Sequence, residues 1–177
     1  CLKIDRNARV AVETMVKGMA EESHIIVGGE VTISTDEPID YEEIARKAAA
    51  EIGYTNHEVG MDATSSENCN VKVLISQQSG DIAQGVDEGK GLHLEQGAGD
   101  QGLMFGFACD ETTTLMPAPI FYSHKLAYNL TKLRRERHPE TLGPDGKTQV
   151  SIRYENGAPV AIDTVLVSTQ HSENITL

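Results

Sequence analysis

Tryptophan is absent from the 177 residues, and aromatic side chains as a class make up only 5% of them. A core built from this chain therefore rests on aliphatic side chains rather than on large rings. Cysteine is scarce too: Cys1, Cys69 and Cys109 are scattered and form no CxxC pair. That excludes a disulfide framework and predicts a reducing, cytoplasmic setting. Basic residues are outnumbered, 15 Lys and Arg against 27 Asp and Glu, for a net charge of −12. This balance speaks against nucleic acid or an anionic membrane surface as the main partner. No apolar run approaches the roughly 20 residues that span a bilayer, and no signal-peptide pattern opens the chain. The six histidines show neither HxxxH nor His/Cys spacing, so no zinc site is expected. What is left, 39% hydrophobic and 24% charged, is the composition of a globular protein with one ordinary core or two small ones. The chain starts with Cys1 rather than Met and stops at Leu177 just after Thr169-Gln170-His171-Ser172-Glu173, where a helix looks about to begin. It reads as an excerpt from a longer protein.

The most informative stretch is 95–107, where Gly97, Gly99, Gly102 and Gly106 are interleaved with Gln96, Asp100 and Gln101. Glycine at that density costs conformational entropy and marks tight turns or close approach of backbone to a ligand. A flexible surface loop is the plain alternative. The segment runs straight into Leu103, Met104, Phe105, Phe107 and Ala108, which favours a ligand site over a linker.

Periodicity outlines the elements. Residues 8–17 alternate as a half-buried strand, with Val10, Val12 and Val16 on one face and Ala11, Glu13 and Met15 on the other. Residues 24–35 form a second strand interrupted by Gly28-Gly29, joined to the first by a short antiparallel connection. Asp40 and Glu43 open a helix over 41–52 in which Tyr41, Ile44, Ala45, Ala48 and Ile52 recur at helical spacing, and Gly53 ends it. Residues 71–76 are a further strand, and 78–101 a long loop of the kind that forms lids or binding loops. A strand is predicted over about 103–109 and a long helix over about 119–137 after Pro117, with a basic end that suits its dipole. Residues 148–155 and 159–168 make a hairpin around Asn156-Gly157. Paired strands and one helix in each half predict sheet layers covered by helices.

Several residues carry chemistry. Asp145-Gly146-Lys147-Thr148 ends like a phosphate loop, but Thr141 stands where the first glycine of that motif must be and a strand follows. Both departures speak against a nucleotide-hydrolysing P-loop; a turn that projects Lys147 beside Asp145 remains, set against an ordinary solvated turn. Glu13 on its strand face is either partnered by a cation or basic group, or simply solvated. Glu30, directly after two glycines, faces either an approaching molecule or solvent at a bulge. Cys109 has no base nearby in sequence, which leaves little case for a nucleophile.

Taken in order, the segments resemble one family closely, the S-adenosylmethionine synthetases (methionine adenosyltransferases). The resemblance runs through Ala8–Lys17, Val27–Glu30, Gly80–Asp87, Gln96–Gly106, Leu115–Ile120, Asp145–Val150 and Ser168–Ser172, essentially the whole chain. It implies an α+β fold: repeated, intertwined two-layer domains of mixed β-sheet with helices on one face. Residues 1–83 would be the remainder of the first repeat, 84–96 a mobile active-site loop, and 97–177 most of the second repeat.

The family makes S-adenosylmethionine from ATP and L-methionine, then hydrolyses the triphosphate, with Mg2+ and K+ as cofactors. Carried over residue by residue, the resemblance makes Glu13 a potassium ligand and Glu30, Gln84 and Asp100 methionine contacts. It gives Asp145, Gly146 and Lys147 to ATP, with Lys147 on the triphosphate as the catalytic cation. It further implies a homodimer, or a dimer of dimers, with active sites shared between subunits. The family's Gly-His-Pro-Asp-Lys opening, its third repeat and most of its cationic triphosphate contacts are missing here. Extra residues around Glu88–His93 also alter the loop's usual spacing. The isolated chain is therefore expected to be inactive, and a non-catalytic dimerising or regulatory module of the same fold is the alternative.

Overall fold

In the second strand every other residue is apolar or small, and that alternation organises the first half of the molecule. The computed structural model describes residues 1–19, 21–35, 37–78 and 102–175. The chain divides into two compact units, Cys1–Leu103 and Met104–Leu177.

In the first unit, β1 (Arg9–Lys17) pairs antiparallel with β2 (Ser23–Thr32). After α1 (Tyr41–Ile52), two short strands β3 (Thr55–Asn56) and β4 (Met61–Asp62) form a small ladder of their own. The chain then enters β5 (Cys69–Ser76), parallel to β2, to give a sheet of order β1-β2-β5. Ser23, Ile25, Val27 and Val31 are buried on one face of β2. There Ile25 and Val27 join Ala49, Met61, Ala63 and Cys69 in the core, flanked by Val12, Ala45, Tyr54, Val71 and Ile75.

Helix α1 starts as predicted: Asp40 Oδ1 accepts from the Glu43 backbone N–H at 2.8 Å, and Gly53 closes the other end with φ 124°. Its inward stripe is Tyr41, Ala45 and Ala49, whereas Ile44 and Ile52 are exposed, so the buried face is rotated from the expected one. Arg46 explains the offset. Its side chain turns inward, donating to the carbonyls of Ala63 (3.3 Å), Ser65 (3.4 Å) and Cys69 (2.9 Å) while Glu42 holds it at 2.7 Å. One guanidinium thereby satisfies three backbone carbonyls, and the larger apolar residues are displaced to the outside.

At Gly29 (φ 142°) a Cβ would run into the Ala11 carbonyl and the Val12 Cα. What approaches the glycine pair is thus the chain's own first strand. At Gly28 an added Cβ would meet only ordinary contact with Leu74.

In the second unit, α2 (Ala118–Arg137) precedes a long hairpin of β6 (Leu142–Glu155) and β7 (Ala158–His171). Asn156 (φ 50°) and Gly157 (φ 80°) make the turn, both left-handed as a two-residue hairpin loop demands. Helix α2 lies on β6: Thr148 donates its hydroxyl to the Ser123 carbonyl at 2.8 Å, and Val150 is buried. Pro117 offers no side-chain cap to this helix. Glu111 takes that part, its Oε2 accepting from the Ala118 N–H at 2.8 Å and from the Tyr154 hydroxyl at 2.6 Å.

The expected strand over 103–109 is not formed. Residues 102–109 carry no regular structure, and Leu103, Met104, Phe105 and Phe107 are 76–91% exposed. Alternation marks a surface fit to be half covered, but a strand exists only where a neighbour pairs with it, and among the described residues none does.

Candidate active site

The predicted site residues fall into two sets, one in each unit. In the first unit, burial of Ser23, Ile25, Val27 and Val31 forces Gly28 and Glu30 to the opposite, open face of the sheet. Register extends that face to the neighbours: Glu13 and Leu74 lie across from Gly28, Ala11 and Ser76 across from Glu30. Glu13 and Glu30 are therefore diagonal neighbours, with backbones roughly 7–8 Å apart. Glu13 is exposed and Glu30 half-buried, and Met15 and Leu74 on the same face are exposed as well. A shallow groove of about 780 Å³ follows β1 past Val10, Glu13 and Met15 to Ile26 and Gly28. Among the described residues neither carboxylate has an ion-pair partner. Two unpaired acids on one face attract a cation or an ammonium group.

In the second unit, β6 bulges ahead of its regular stretch, with the register shifting between Leu142 and Gly146. Lys147 Nζ lies 3.0 and 3.2 Å from the two Asp145 carboxylate oxygens, and both side chains are exposed. The expected turn at Asp145–Lys147 is in fact strand with a bulge. Gly146 points the other way, where a Cβ would press on Leu130 of α2, so it has a packing reason of its own. An exposed pair such as Asp145–Lys147 is worth about 0–1 kcal/mol, so a polyanion can draw the ammonium away at little cost.

Gln84 and Asp100 lie outside the described residues, as do the 84–96 loop and Gly97 and Gly99. Among the described residues no group of three His, Cys, Asp or Glu side chains could hold a metal. Hard cations take several oxygen ligands. Glu13 supplies one carboxylate, which is insufficient for K+, and these residues do not assemble a Mg2+ site. Burial pushes the Cys69 thiol up, which marks it as an inert core residue rather than a nucleophile. Residue-by-residue reading missed Gln170, whose side chain reaches the Asp145 N–H at 3.4 Å. Its signal in the sequence was its place in the Ser168–Ser172 segment that carries the family resemblance, beside the end of the hairpin.

Such a chain, of two α+β units with acids on an open sheet face and a bulged Asp-Gly-Lys strand, has matching domain models. Residues 1–80 match the S-adenosylmethionine synthetase N-terminal domain and residues 95–177 the S-adenosylmethionine synthetase central domain. The chain is 49% identical over 173 residues to the S-adenosylmethionine synthase of Desulfosudis oleivorans, covering 97% of this chain and 42% of that protein. It is 50% identical over 175 residues to the S-adenosylmethionine synthase of Sorangium cellulosum, covering 98% of this chain and 39% of that protein. The chain belongs to the S-adenosylmethionine synthetase family. It spans about two fifths of the length of these curated relatives.

Proposed function

We propose that these residues serve a methionine adenosyltransferase, which forms S-adenosylmethionine from ATP and L-methionine. The observation that carries this reading is about 50% identity to two S-adenosylmethionine synthases over almost the whole chain; Glu13, Glu30, Asp145 and Lys147 are present in its sequence. In the proposed reaction a lone pair of the methionine sulfur forms the S–C5′ bond while the C5′–O bond breaks. The triphosphate departs with that electron pair and is then hydrolysed to phosphate and diphosphate. A thioether has no proton to lose, so no general base is needed.

Charge moves in two directions during the displacement. Sulfur becomes a sulfonium while negative charge gathers on the departing oxygen. Fixed groups matched to that change lower the barrier more than equal binding of the substrates would. Lys147 takes the triphosphate, with Asp145 and Gly146 also at ATP. Glu30, Gln84 and Asp100 take methionine, the acids meeting its ammonium group. Glu13 would contribute one ligand to K+, and Mg2+ would supply charge neutralisation to the phosphates. The other ligands of both ions come from outside the described residues. The repeats divide as 1–83 and 97–177 around an active-site loop at 84–96. The enzyme works in the cytoplasm as a homodimer or dimer of dimers whose sites are shared, and the 177 residues alone are inactive.

Lys147→Ala in the full-length enzyme carrying these residues tests the assignment. Turnover is expected to fall about 100- to 1,000-fold, with methionine affinity little changed. Undiminished turnover would remove Lys147 from the mechanism.

A further inference from the structure

We propose that Gln170 is a positioning residue: it stands in for the missing ladder at the β6 bulge and so fixes where Asp145 and Lys147 point. β6 and β7 are in register at Leu142↔His171 and again at Gly146↔Thr169. Between those pairs lie Gly143, Pro144 and Asp145 on one strand, against Gln170 alone on the other. Three residues cannot pair with one, so two backbone positions lose their strand partner. Pro144 has no N–H to satisfy, which leaves Gly143 and Asp145.

The Gln170 side chain occupies that gap. Its Oε1 accepts from the Asp145 N–H at 3.4 Å. Its Cγ, Cδ and Oε1 lie where a Cβ on Gly143 would be, and Gly143 is buried beneath them. The Gln170 backbone is held in turn, its carbonyl accepting from the Thr169 hydroxyl at 3.2 Å. Glycine at 143 is thus required by the amide lying over it. An amide braced in this way gives the bulge one shape, and in that shape Asp145 and Lys147 emerge side by side, 3.0 Å apart at their tips. Resting on the reading of this segment as the ATP site, Gln170 orders the cation before the phosphates arrive, acting through Asp145 rather than on the nucleotide.

Two variants separate positioning from simple space-filling. Gln170→Met keeps the bulk and removes the acceptor; Gly143→Ala keeps Gln170 and displaces its side chain. In the 177-residue chain, amide hydrogen exchange read by NMR at Asp145 is expected to quicken about tenfold or more in both, as a hydrogen bond of this kind predicts. Unchanged exchange would overturn the inference. In the full-length enzyme, both variants are expected to raise the KM for ATP about tenfold while leaving that for methionine within about twofold. A residue that merely fills space would lower the melting temperature and the active fraction with both KM values unchanged, and that result, or an equal rise in both, would refute positioning. Lys147→Ala in the same assay keeps the two readings apart. If it leaves the ATP kinetics untouched, the ATP assignment fails. If it abolishes them while the Gln170 and Gly143 variants behave like the parent, only the positioning role fails.

Discussion

The two units solve the same problem with unequal means. The first buries Ile25, Val27, Met61, Ala63 and Cys69 between a three-stranded sheet and its helix, with Arg46 pinning the loop that closes the layer. In the second, where a helix lies on a two-stranded hairpin, Ala118 of the helix and Val150 of the hairpin are the buried hydrophobic residues among those described. A hairpin of two strands is marginal by itself. The second unit leans instead on directional contacts: the Glu111 cap, the Thr148–Ser123 bond and the left-handed turn at Asn156-Gly157. A unit held by hydrogen bonds responds to acid and base.

That contrast can be pressed from the strongest effect downward. Ile25→Ala, at a site 2% exposed, is expected to destabilise the first unit by about 2–5 kcal/mol. The matching Val150→Ala in the second should cost only about 1–2 kcal/mol. Urea denaturation followed at amides of each unit measures both, and equal losses would dissolve the distinction. Arg46→Met keeps the stem but removes the donors to Ala63, Ser65 and Cys69, and should cost the first unit about 1.5–3 kcal/mol. The same denaturation series reads it, and a neutral result would show that water replaces the guanidinium freely.

The smallest effect belongs to the cap of α2 and is seen through pH. The Ala118 N–H and the Tyr154 hydroxyl hold the Glu111 carboxyl below its ordinary value of 4.5. Its contribution to folding is present above pH 4.5 and fades as pH falls through the lowered value. The Tyr154 phenol is pushed up from 10.0 to about 12, chiefly by its hydrogen bond to Glu111. Its contribution is whole below pH 10 and is lost as pH rises through about 12. An ultraviolet titration should show one late tyrosine that disappears in Tyr154→Phe, and in that variant the Glu111 carboxyl should titrate closer to 4.5. A parent titration with no late component that Tyr154→Phe removes would show that the bond is absent in solution.

The strands and helices with strong periods were legible in the sequence: β1, β2, β5, α1 and α2 stand close to where the pattern put them. The hairpin turns at Asn156-Gly157 as expected, but β6 starts at Leu142 rather than Thr148 and takes in the expected turn at Asp145–Lys147. The family was legible too, through its motifs. The errors share a cause. The buried stripe of α1 was misjudged because hydropathy favours Ile44 and Ile52 over Ala45 and Ala49, and it gives no hint that Arg46 turns inward to cap carbonyls. The strand at 103–109 failed because pairing is a property of two segments. Gly29 advertised a close approach, yet nothing local tells whether a ligand or another strand arrives. Glu13 and Glu30 were recognisable as acids on strands; that they share one open face follows only from the register. Gln170 stood within the Ser168–Ser172 segment, but its part at the bulge was hidden because a gap of three residues against one is set jointly by both strands.

The tight fit of Ala11 and Val12 against Gly29 has a consequence for heredity as much as for mechanics. A side chain at that notch would push the edge strand off its present alignment, and a slip by a single position would swing Glu13 inward among Ile25 and Val27. The glycine thus protects the outward orientation of an acid it never touches. A lineage that traded it for a residue with a side chain would surrender the carboxylate's address while leaving its letter in the gene unchanged.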